Sequence, residues 1–166
     1  MPRCESFPFA AERDARVLVV GSMPGIASLT AGQYYAHPRN AFWPIVFSLW
    51  QEEAPADYGE RLAFLLSRRV ALWDVARACE REGSLDTAMR AVEYNDFDRL
   101  FSFAPGIRTV LCNGGTAHAL FLRSKWAQVG LRIEKLPSTS PAYTLPFEKK
   151  RAAWAILREA AEEEEQ

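Results

Sequence analysis

Groups able to do chemistry crowd into residues 21–45, GSMPGIASLTAGQYYAHPRNAFWPI, which hold Tyr34, Tyr35, His37, Arg39 and Asn40 among three glycines and three prolines. Two later stretches are similar in character: Asn113, followed by two glycines, and Ser138-Thr139-Ser140, set between Pro137 and Pro141. Neutral amides and flat rings suit a nucleobase, because an amide pairs with a base edge while a tyrosine stacks on its face. Hydroxyls and backbone N–H groups suit phosphate oxygens. Together they point to a nucleotide or nucleic acid. The chain has no G-x-S-x-G elbow, no G-x-x-x-x-G-K-[ST] phosphate loop and no H-E-x-x-H helix. With only His37 and His118 to build on, no metal and no cofactor is expected. Cys4, Cys79 and Cys112 lack ligand spacing, so no disulfide is expected either.

The elements that must position these groups follow from the apolar pattern. Residues 16–21 (RVLVVG), 70–75 (VALWDV) and 108–112 (RTVLC) are short apolar runs suited to strands buried on both faces, and residues 131–136 (LRIEKL) alternate like a more exposed strand. Helical patterns lie between them at 41–50, 59–67, 96–103 behind Asn95 as cap, 115–123 and from 148 onward. Alternation of this kind predicts an α/β fold, a three-layer α/β/α sandwich on a mainly parallel sheet of at least four strands. Ligands of such sheets bind beyond the carboxyl ends of the strands, where the three polar stretches fall.

A length of 166 residues with 49% hydrophobic content suits one domain. No run of about 18 apolar residues is present, and the start MPRCESFPFAAERD has no apolar leader core, so a cytoplasmic protein without membrane contact is expected. The net charge of -1 hides an asymmetry. Glu159 and the four glutamates at 162–165 account for five of the 21 acidic residues, leaving 20 basic against 16 acidic, or +4, on the body. That balance is compatible with DNA, whose phosphates call for an electropositive groove.

The segment G-S-M-P-G-x-x-S-L-x-x-G-Q-Y-Y-A-H-P-R-N-x-F-W-P resembles the first motif of the uracil-DNA glycosylase superfamily, in particular its mismatch-specific uracil/thymine branch. Asn113-Gly114 and Gly83-Ser84-Leu85-Asp86 resemble later loops of the same branch, and residues 137–141 (PSTSP) sit where the superfamily carries its serine-rich DNA-pinching loop. Met23 replaces the asparagine that the branch credits with positioning water, and a thioether cannot do that. With Met23, Q-Y-Y-A-H-P-R-N and L-P-S-T-S-P-A, the chain looks like family six, the hypoxanthine-DNA glycosylases, in which the essential asparagine is the one matching Asn40. The resemblance implies a monofunctional glycosylase, acting as a monomer on DNA that contains a deaminated base, most directly deoxyinosine. Excision of uracil or thymine from mismatches, and a non-catalytic nucleotide-binding module, are the alternatives.

The resemblance also distributes roles. Asn40 is expected to act on the water or the sugar, against its use as a plain helix cap. Tyr35 is expected to stack on the extruded base while Tyr34 packs in the core. Ser22 and Met23 are expected to border the base. Asn113 either pairs with the base edge or caps the next helix. Ser138, Thr139 and Ser140 are expected to hold phosphates, against a turn whose hydroxyls bind their own backbone. His37 and Arg39 are given no catalytic part.

Overall fold

The computed structural model describes residues 2–127 and 130–163. Four strands, β2 (Val17–Gly21), β3 (Val70–Asp74), β6 (Thr109–Asn113) and β7 (Arg132–Leu136), form a parallel sheet in the order β3-β2-β6-β7. β2, β3 and β6 are buried along their whole length, as the unbroken apolar runs require of parallel strands covered on both faces.

Alternate residues of these strands feed two separate cores. Val17, Val19, Val70 and Leu72 pack against α2 (Phe42–Leu49), α3 (Tyr58–Ser67), α6 (Phe147–Trp154) and α7 (Ile156–Ala161). Leu18, Val20, Ala71, Trp73 and Val110 pack against α4 (Phe97–Phe103) and α5 (Gly115–Leu122). The result is the three-layer α/β/α sandwich expected from the sequence.

Two parts of the architecture differ from that reading. A second, antiparallel sheet in the order β1-β4-β5 is built from β1 (Arg3–Glu5), β4 (Ala76–Glu80) and β5 (Arg90–Tyr94). A six-residue helix, α1 (Ile26–Ala31), interrupts the first motif. The cap of α4 is Asp96, whose carboxylate accepts from Asp98 N. Asn95 is instead buried and donates from Nδ2 to the Asp74 carbonyl at 2.8 Å. Of the acidic tail, residues 164–166 lie outside the described residues. Glu162 accepts from the indole N–H of Trp50 (3.2 Å) and pairs with Arg158. Among the described residues no helix is long and apolar enough to cross a membrane.

Candidate active site

Beyond the carboxyl ends of β2, β3 and β6 lies a cavity of about 520 Å³, whose walls come from the first motif, the Ser84 to Thr87 turn, Asn113 and the Ser138 to Tyr143 loop. Every residue given a role from the sequence borders it. What those side chains do there differs from one to the next.

Asn40 ends the H-P-R-N turn. Its Oδ1 accepts from Phe42 N at 2.9 Å, so from one position before the N-cap Ala41 it satisfies the first N–H of α2, a capping role. Its Nδ2 has no protein partner among the described residues. Cap and catalytic group are therefore compatible in one side chain, with the oxygen holding the helix and the N–H₂ left for a ligand. Tyr35 adopts φ 56°, a left-handed conformation that costs a non-glycine residue about 1–3 kcal/mol and is concentrated at functional sites. Its ring lies 4.2 Å from that of Phe42, tilted by 30°. Burial, reinforced by the Asp74 charge and opposed by the nearby Asn113 amide, raises its hydroxyl well above the usual phenol range. Tyr34 is a core residue as expected, buried and donating to the Pro8 carbonyl at 3.0 Å.

Of the two readings of Asn113, the helix cap is not what the side chain does; it borders the cavity, where the base edge is expected. α5 is capped by Gly114 without a side-chain bond. The Asn113 amide instead grips Thr139 from both ends, Oδ1 accepting from Thr139 N at 2.9 Å and Nδ2 donating to Thr139 Oγ1 at 3.0 Å. Thr139 is 1% exposed and has no surface to offer a phosphate; it is an anchor. Ser138 and Ser140 do make the turn hydrogen bonds, accepting from Ser140 N and Ala142 N, each at 3.1 Å. Those bonds use acceptor lone pairs and leave both O–H groups able to donate. Ser22 is buried and donates to Asp86 Oδ1 at 2.6 Å. Met23 packs with Ala76, Cys79 and Met89 while still bordering the cavity. His37 accepts on Nδ1 from Arg39 N at 3.0 Å and borders the cavity.

Three residues were not singled out from the sequence. Lys150 is buried beneath the serine loop and donates from Nζ to the carbonyls of Ser140 (3.1 Å) and Tyr143 (2.7 Å). It places a cation behind the hydroxyls expected to meet phosphate. Asp74, at the end of β3, is 3% exposed, and its Oδ2 has no partner among the described residues. Burial, reinforced by the nearby charge of Asp86 and opposed by Arg81, pushes its carboxyl up to about 7. Arg81 is 1% exposed and bonds the Pro24 carbonyl behind the first motif. Among the described residues that border the cavity there is no Lys or Arg, and Asp74 and Asp86 are its acidic members.

Asp74 also explains Gly21. A Cβ at Gly21 would lie 2.4 Å from Asp74 Oδ1 and 3.4 Å from the Tyr35 hydroxyl. Gly21→Ala is expected to push both groups aside and lower turnover at least tenfold; normal turnover in a folded alanine variant would contradict this placement. Asp74 also ties stability to pH. Below the ordinary carboxylate range both folded and unfolded chains hold the proton; between that range and about 7 only the folded chain holds it. Stability must therefore fall as pH rises across that window, by up to about 1.4 kcal/mol per unit, and level off above it. Denaturant melts at pH 5 and pH 8 should show Asp74→Asn gaining on the wild type at the higher pH.

A model of the uracil DNA glycosylase superfamily matches residues 7–159. The chain belongs to this superfamily. Within it, two relatives described as hypoxanthine DNA glycosylases match nearly end to end. One, from Methanosarcina barkeri, is 33% identical over 154 residues, covering 91% of this chain and 95% of its own length. The other, from Methanosarcina acetivorans, is 32% identical over 156 residues, covering 92% and 96%. A solution NMR structure of a candidate uracil DNA glycosylase from Methanosarcina acetivorans superposes with a TM-score of 0.81 at 30% identity, spanning 98% of this chain and 100% of that one. The superfamily membership accounts for a cavity bordered by all four loops that carried the resemblance.

Proposed function

We propose that the chain is a monofunctional DNA glycosylase that hydrolyses the N-glycosidic bond of deoxyinosine, releasing hypoxanthine. The observation that carries this reading is the division of labour between Met23 and Asn40. The first-motif slot used for water in the uracil/thymine branch holds a thioether, while the Asn40 amide keeps its N–H₂ for the cavity. The two hypoxanthine DNA glycosylases that match over more than nine-tenths of the chain support the same choice of base.

Hydrolysis passes through an oxocarbenium-like sugar, so the nucleotide must leave the stack and water must meet C1′. Asn40 orients that water. Tyr35 stacks on the base, an interaction of about 1–3 kcal/mol. Ser138 and Ser140 donate to the flanking phosphates, with Lys150 behind them. A lyase would need an amine nucleophile, and among the described residues bordering the cavity none is a lysine.

The test is a panel of oligonucleotides, each with one deaminated base. Hypoxanthine should be released fastest, leaving an alkali-labile abasic site and no borohydride-trapped adduct. Faster release of uracil would reassign the substrate, and a trapped adduct would overturn hydrolysis by water.

A further inference from the structure

We propose that Asp74 is the proton donor to the departing purine. This rests on the reading of the cavity as a deoxyinosine site and adds a residue to it. Three geometric facts carry it. Asp74 borders the cavity at the strand end beside the first motif. Gly21 is kept without a side chain where the Asp74 carboxyl lies across it. Asp74 Oδ2 is buried with no partner among the described residues. An ionised carboxylate so placed would be strongly disfavoured, whereas a neutral carboxylic acid offers an O–H.

The surroundings keep it neutral. Asp86, held by Ser22, sets a like charge nearby; Tyr34 and Tyr35 face it from the first motif as neutral phenols; Arg81, from beyond the end of β4, is the opposing positive charge. An acid that titrates near the working pH is suited to proton transfer.

The chemistry balances without a further reactant. As the C1′–N9 bond breaks, its electron pair moves into the purine, and the Asp74 proton passes to N7, so hypoxanthine leaves neutral. Water held by Asn40 adds its oxygen to C1′ and releases a proton to solvent. The Asp74 carboxylate regains a proton from solvent once the base has gone. Uracil has no N7, so this donor favours a purine.

Single-turnover excision from an oligonucleotide containing deoxyinosine, followed from pH 5 to pH 9 with wild type and Asp74→Asn, tests the assignment. A second substrate carries 7-deazahypoxanthine, which has no N7 to protonate. The wild-type rate should fall about tenfold per unit on the alkaline side, and Asp74→Asn should be about 10²–10⁴-fold slower at pH 6 without that limb. The wild type should be slowed comparably by the 7-deaza base, and Asp74→Asn should lose little more on it. Asp74→Asn with the wild-type rate and profile overturns the proposal, as does a wild type that releases both bases equally fast. The second result decides the matter even if the variant fails to fold. No release of hypoxanthine by the wild type would overturn the deoxyinosine reading itself, and this proposal with it.

Discussion

Asn40→Ala should lose deoxyinosine excision by at least about 10²–10³-fold, the range for removing one preorganised polar group from a transition state, while remaining folded. The structural cost is bounded by what the side chain does in the free protein. Among the described residues it makes one hydrogen bond, from Phe42 N to Oδ1, and losing such a capping bond costs about 1 kcal/mol. For a chain of this size that is a shift of about 2–4 °C in Tm. Asn40→Asp separates the two ends of the amide, because a carboxylate still caps α2 but has no N–H₂. It should keep the wild-type Tm and still lose turnover. Retained turnover in either variant, with a lowered Tm, would reduce Asn40 to a cap.

Asn113→Ala should be the more damaging change to the fold. Both ends of its amide hold Thr139, so truncation leaves the buried Thr139 N–H without a partner, at about 1–3 kcal/mol, and frees the serine loop. Excision should drop about tenfold or more, with weaker binding of an abasic-site oligonucleotide. Asn113→Asp is the informative companion: its carboxylate accepts from Thr139 N, and the threonine hydroxyl can turn to donate to it. An anchoring role predicts unchanged preference between deoxyinosine and deoxyuridine in Asn113→Asp. A switch in preference would return Asn113 to the base edge.

The parallel sheet was legible because Val17–Gly21, Val70–Asp74 and Thr109–Asn113 are mainly apolar and buried along their whole length, as a strand covered on both faces requires. The antiparallel sheet was not. Ala76–Glu80 and Arg90–Tyr94 carry charges on their exposed faces, β4 begins two residues after β3 ends, and ARACEREGSLD reads as a polar connection. Asp74 was hidden for a related reason: one carboxylate closing an apolar strand looks like the first residue of a turn, and the groups around it, Gly21, Tyr35 and Asp86, are distant from it in sequence. The roles of Asn113 and Thr139 were half legible. Resemblance placed both at the site, but pairing across 26 residues of sequence has no local signature. Asn40 and Tyr35 were the most legible, since both lie within one dense motif.

Thr139 does more than receive Asn113. Its carbonyl accepts from Ala41 N at 2.9 Å, so the loop expected to grip the DNA backbone is bonded to the residue directly after Asn40. Substrate length is therefore expected to matter to the chemical step as well as to affinity. A free nucleoside presents the same base but has no flanking phosphates to seat the serine loop, and contacts remote from the reacting bond raise turnover only when the substrate carries them. On the proposed function, such wiring is expected to spare free purine nucleosides and reserve hydrolysis for the polymer.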